Sequence, residues 1–159
     1  MAQVQMKATA ILAARPKDVY ATIADYHKGH QEILPQTRLG GISDLRVEQG
    51  GYGAGTIISF MTRVLGAEQE FHQRVSEPEP GSVLVEQSID SPQNETTTFT
   101  VIPVDQGERS HVTISTTMNA SPGLRGVIER AVTPLLMRGI YQQELRLLEA
   151  VAQKRGNAV

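Results

Sequence analysis

Residues 121–154 read SPGLRGVIERAVTPLLMRGIYQQELRLLEAVAQK, and this stretch decides the fold. Apolar side chains recur in it at spacings of three and four: Leu124, Val127, Ile128, Ala131, Val132, Leu135, Leu136, Ile140, Leu147, Leu148 and Val151. That period gathers them onto one broad face of an amphipathic helix. Ser121-Pro122 offers an N-cap and a first helical position. The helix is expected to end near Lys154, which makes it roughly 50 Å long if straight. Pro134 lacks a backbone donor and crowds the preceding turn, so a kink is expected there.

Everything before this helix has a different period. Gln3 to Ala13 alternates, with Val4, Met6, Ala8, Ala10 and Leu12 on one face, as in a half-buried strand. Pro16 and Asp18 then open a short helix carrying Val19 and Ile23. A second short helix is expected from about His27 to Leu34, stopped by Pro35. From Leu45 to Met118 the chain reads as successive antiparallel strands: Leu45 to Gln49, Thr56 to Leu65, Ala67 to Val75, Val83 to Ile89, Glu95 to Val104, and His111 to Met118. Turn chemistry separates them, at Gly50 to Gly55, at Pro78-Glu79-Pro80-Gly81, and at Asp105 to Glu108. Strands followed by one long helix argue for an α+β fold, the helix packed on one face of an antiparallel sheet.

Composition sets outer limits. The chain has 159 residues, a length that suits one domain spanning 1–159. A net charge of −2, with no basic face, argues against a nucleic-acid partner. The absence of cysteine excludes disulfides, thiol nucleophiles and cysteine-bound metals. No apolar stretch reaches the ~18 residues that a membrane span needs, so stable membrane insertion is not expected. Met1 to Leu12 does not read as a signal peptide, and a cytoplasmic location is expected. No cofactor is implied, and the composition leaves the oligomeric state open.

Several short motifs occur in a specific order. Ile11-Leu12-Ala13-Ala14-Arg15-Pro16-Lys17-Asp18-Val19-Tyr20 closes the first strand and opens the first helix. Ala24-Asp25-Tyr26 leads to Ile33-Leu34-Pro35. Gly53-Ala54-Gly55-Thr56 ends the glycine cluster, and Arg74-Val75-Ser76-Glu77 precedes Pro78. In this order, and with the closing helix, the chain resembles the START-like (SRPBCC) superfamily, in its polyketide cyclase/dehydrase-like branch. Tryptophans common around that family's short helices are missing here, and His30 falls near where one stands. The resemblance implies a helix-grip fold, a sheet of about seven strands wrapped round the last helix with a cavity between. It further implies binding or carriage of a lipid, polyketide or aromatic molecule, or alternatively cyclase or dehydratase chemistry in the same cavity.

No catalytic constellation stands out, so whether the chain is an enzyme stays open. The glycine cluster lacks the lysine and the following helix of a phosphate loop, and reads as a turn. His27 and His30 share a helical spacing, but no third ligand accompanies them, and no metal site is expected. Loop or surface positions suit both histidines. Glu68, Glu70, His72 and Arg74 form an ionisable row on one strand face. The opposite face, with Phe71 and Val75, is the better inner face. If the register were reversed, His72 and Arg74 would be the catalytic candidates. The expected cavity wall comprises Phe60, Phe71, Val85, Phe99, Val101 and Ile114 from the strands and Ile128, Val132, Leu135 and Leu136 from the helix. Tyr26 and Tyr141 would orient a ligand through their hydroxyls.

Overall fold

The computed structural model describes residues 2–158. A first strand, β1 (Gln3–Leu12), buries every second side chain from Val4 to Ala8 and again at Leu12. Helix α1 (Pro16–Ala24) follows, with Pro16 in its first turn, and then the single turn α2 (Gly29–Glu32). Five strands come next, β2 (Gly40–Gln49), β3 (Ile57–Val64), β4 (Ala67–Glu79), β5 (Val83–Ser88) and β6 (Thr96–Val104). Strand β7 (Arg109–Asn119) and the long helix α3 (Leu124–Asn157) complete the chain.

The strands form one antiparallel sheet in the order β1-β7-β6-β5-β4-β3-β2. Each strand from β2 to β7 pairs with its sequence neighbour, and β1 closes onto β7. Helix α3 packs against β1 and α1. The core lies between the inner face of the sheet and the three helices, with Ile23, Ile58, Leu84, Ile114, Leu145 and Leu148 fully buried. This is the α+β helix-grip arrangement. Among the described residues, no helix is long and apolar enough to cross a membrane.

Several element ends differ from the sequence reading. The second helix is only Gly29–Glu32. Strand β2 starts at Gly40, not Leu45, because Gly40 to Ser43 pair with β3. Strand β4 runs through Pro78 to Glu79, where a register shift after Ser76 absorbs the missing donor. Its turn therefore sits at residues 79–82, closed by the Ser82 N–H on the Glu79 carbonyl at 2.9 Å. Gly123, at φ 74°, caps α3 in place of Ser121. Ser121 instead donates its backbone N–H and its hydroxyl to the Glu129 carboxylate, at 2.9 and 2.7 Å. Helix α3 passes through Pro134 as one element and continues to Asn157.

The glycine cluster is a docked turn. The Gly53 N–H donates to the Ala24 carbonyl, and the Gly51 carbonyl accepts from the Tyr26 N–H, both at 2.9 Å. These bonds hold the end of α1 against the β2–β3 connection, and so place Tyr26 and α2 over the sheet.

Candidate functional site

Between the sheet and α3 lies a cavity of about 260 Å³. Phe60 and Phe71 stack on one wall, ring centres 5.4 Å apart, and Phe99, Ile58, Ile114 and Met118 continue the apolar lining. The lid is the face of α3 that carries Arg125, Glu129, Thr133, Met137, Tyr141 and Glu144. These recur at spacings of four and three, so one helical face looks inward. Exposed Gln69 and Arg125 mark the rim, while buried His30, Glu86 and Glu144 mark the inner end.

The inner end is polar. The Tyr26 hydroxyl donates to Glu86 Oε1 at 2.6 Å, and the Tyr26 ring stacks on His30 with centres 4.4 Å apart. His30 Nδ1 lies 2.7 Å from the Ile23 carbonyl. A carbonyl only accepts, so Nδ1 carries a hydrogen. His30 Nε2 then faces Glu86 Oε1 at 3.5 Å. Across the cavity, the Tyr141 hydroxyl, Thr116 and Thr97 form a chain of hydrogen bonds at 2.7 Å each.

Burial dominates the electrostatics. It pushes the Glu144 carboxyl well above the usual carboxylate range, and the negative charge of Glu86 adds to the rise. Burial and the neighbouring Glu86 likewise raise the Tyr26 hydroxyl, and burial raises that of Tyr141. On the β4 wall, Gln73 is 2% exposed and its Oε1 has no hydrogen-bond partner among the described residues. An unmatched buried acceptor costs about 1–3 kcal/mol.

A family model described as polyketide cyclase / dehydrase and lipid transport matches residues 3–153. The chain belongs to this family. No curated protein matches the sequence. Among solved structures, the KanY protein in solution is similar at 27% identity, with 96% of this chain and 99% of that one covered and a TM-score of 0.78. An aromatase/cyclase, ZhuI of Streptomyces sp. R1128, is 16% identical with 99% and 98% coverage and a TM-score of 0.76. A protein of Thermus thermophilus is 17% identical with 95% and 98% coverage and a TM-score of 0.71. The last two likenesses concern the fold alone.

Within this family fold, the sequence-expected wall residues divide. The structure brings Phe60, Phe71, Phe99, Ile114 and Tyr141 together around the cavity. Val85 faces outward, because Leu84 and Glu86 take the inner pleat of β5. Val101 faces inward but belongs to the solid core rather than the lining. Tyr26 stands behind His30 and reaches the site only through Glu86. Ile128, Val132 and Leu135 are 54%, 42% and 74% exposed, and Leu136 is half-buried outside the lining. They fail as wall residues because the first half of α3 turns a polar stripe, not its apolar one, towards the cavity.

The register of β4 puts Gln69, Phe71 and Gln73 inside. His72 lies on the outer face, where its Nε2 meets Glu48 at 2.5 Å, and Arg74 is exposed. Neither weak catalytic candidate reaches the cavity. His27 and His30 diverge, His27 over Gly51 and His30 inward and buried. His30 is therefore neither a loop nor a surface histidine. The groups that the sequence reading missed are His30, Glu86, Glu144 and Gln73. Two of them left a signal. Glu86 shares its inner pleat with Leu84, and Glu144 falls four residues from both Ile140 and Leu148. A carboxylate on an apolar stripe is a marker of a buried ionisable group.

Proposed function

We propose that this protein binds a compact apolar molecule, aromatic or polyketide-like, in the cavity between its sheet and α3. The observation that carries this reading is the cavity itself: about 260 Å³, with stacked Phe60 and Phe71 on one side and polar groups collected at the far end. Small-molecule sites generally combine an apolar wall with a few placed polar groups. The volume lies just below the usual ~300–1,000 Å³ of drug-sized sites and favours a short, compact ligand. The family description, which joins cyclases with lipid transport, is consistent with it. Extraction of purified protein into organic solvent, followed by mass spectrometry, is expected to recover a bound apolar molecule. An empty extract, with no thermal shift from a panel of hydrophobic compounds, would sink the reading.

One observation favours a second reading, acid–base catalysis on the bound molecule. Glu144 and Glu86 share the inner end of the cavity, and burial together with Glu86 pushes the Glu144 carboxyl well above the usual carboxylate range. Pairs of carboxyls driven apart in this way divide the roles of acid and base. In a dehydration, Glu86 would take the proton α to a ligand carbonyl, and Glu144 would protonate the departing hydroxyl, which leaves as water. Proton return from Glu86 to Glu144 resets the pair. A β-hydroxy ketone incubated with the protein is expected to lose water, seen by mass spectrometry. Glu86→Gln should slow the loss at least a hundredfold. Equal rates with and without protein would remove this reading and leave the binding one intact.

A further inference from the structure

The cavity has an unmatched acceptor and an excess of carboxyl groups, and together these select a ligand. Gln73 sits mid-strand on the inner face of β4, between Phe71 and Val75 and level with Ile58 of β3 and Ser88 of β5. It is almost fully buried, yet its Oε1 meets no donor among the described residues. Buried polar atoms in folded proteins are nearly always paired, so an orphan on a cavity-lining side chain marks a group that the occupant is to satisfy.

Charge narrows the choice. Glu86, Glu95 and Glu144 all line the cavity and are all buried. Glu95 is held by the hydroxyls of Ser88 and Ser91. The inner basic group is His30, whose Nε2 already faces Glu86. The lining arginine, Arg125, lies at the rim, where its side chain is 83% exposed and pairs with Glu129 at 3.3 Å. A ligand carboxylate driven to the inner end would add negative charge to a low-dielectric site rich in carboxyls, with no free cation among the described residues lining it.

Resting on the binding reading above, we propose that the ligand is neutral and hydroxylated, donating a hydroxyl hydrogen to Gln73 Oε1, and that the cavity rejects carboxylates such as fatty acids. A phenol attached to a small fused ring system matches the wall of Phe60, Phe71 and Phe99. Glu144, whose carboxyl burial pushes upward, lines the same end of the cavity and offers a second polar contact to an oxygenated ligand.

The experiment measures displacement of the neutral fluorophore N-phenyl-1-naphthylamine from the full chain by naphthalene, 2-naphthol and 2-naphthoate. In the natural protein 2-naphthol is expected to bind about tenfold tighter than naphthalene, and 2-naphthoate about tenfold weaker than 2-naphthol. Gln73→Leu should bring 2-naphthol and naphthalene to nearly equal affinity while naphthalene itself still binds. Gln73→Met, closer in shape, gives the same readout if the leucine variant does not fold. Two results overturn the proposal: 2-naphthoate binding as tightly as 2-naphthol, or a 2-naphthol preference that survives both substitutions. If none of the three displaces the fluorophore, the cavity reading itself falls, which separates that failure from this one.

Discussion

Gly53 shows how a single position governs the approach to the site. Its φ is 61°, and a Cβ there would stand 2.2 Å from Glu77 Oε1. That carboxylate accepts from the Ala54 N–H at 2.7 Å and from the Tyr20 hydroxyl at 2.6 Å. Gly53→Ala is expected to cost about 2 kcal/mol or more, roughly 4–8 °C in melting temperature, since backbone strain and a displaced carboxylate add. Gly55, also at positive φ but with open space around it, is the control: Gly55→Ala should cost only about 1 kcal/mol. Melting curves of both variants test the difference. Glu144 yields a pH prediction. Its carboxyl is raised in the folded state by burial and by Glu86, with His30 and Tyr141 facing the same end. Above the ordinary carboxylate range the folded protein therefore binds more protons than the unfolded chain. Stability is full below that range and falls as pH rises towards the folded value, by up to about 1.4 kcal/mol per pH unit. Glu144→Gln should flatten this decline, so that its advantage over the natural protein grows from pH 5 to pH 8 in denaturant titrations. A variant that tracks the natural protein across that range would refute the assignment.

At the level of elements, α3 divides in two. From Ile140 onward Ile140, Tyr141, Leu145, Leu148 and Ala152 are buried, with Leu145 and Leu148 at most 1% exposed. Before that, Leu124, Val127, Ile128, Val132 and Leu135 lie largely in solvent. Leu148→Ala is expected to cost about 2–5 kcal/mol by opening a hole in the core. Leu135→Ala should stay within about 0.5 kcal/mol. Chemical denaturation of the two variants checks the contrast. The residue pattern alone predicts similar costs, because both leucines sit on one apolar stripe. Strand β4 is the opposite case. Its alternation pointed to Phe71 over His72 as the inner residue, and the register places Phe71 on the cavity wall and His72 against Glu48. A two-residue period bears directly on which face is which, whereas a helix with apolar residues on several sides leaves the choice to its neighbours. The inner polar set was legible only in fragments, as Glu86 beside Leu84 and Glu144 between Ile140 and Leu148. Their meeting with His30 joins segments far apart in the chain.

On the scale of the whole molecule, sheet and helices form a frame in which the first half of α3 leaves most of its large apolar side chains exposed. It lies over the cavity, while α3 as a whole packs against β1 and α1. Local opening follows from few buried apolar contacts. Amide hydrogen exchange is therefore expected to be faster across residues 124–137 than across 140–155. A bound ligand should slow the first segment more than the second. The same ligand at a hundred times its dissociation constant should add about 2.7 kcal/mol to stability. Uniform exchange along α3, unchanged by ligand, would contradict this division of the helix.

The sequence alone carried the strand-to-helix order, the α+β class and most of the strand extents, and it favoured the Phe71 face of β4 as the inner one while leaving its register open. These follow from local periodicity and turn chemistry, which the chain carries at every position. Tertiary structure alone decided which side of α3 faces the cavity. It also converted His30 from an apparent loop histidine into the partner of Glu86, and left Gln73 without a donor. Each of those outcomes depends on which distant groups arrive at the same place, and on the loss of water there. Burial and pairing are properties of the folded surroundings, and no short window of residues contains them.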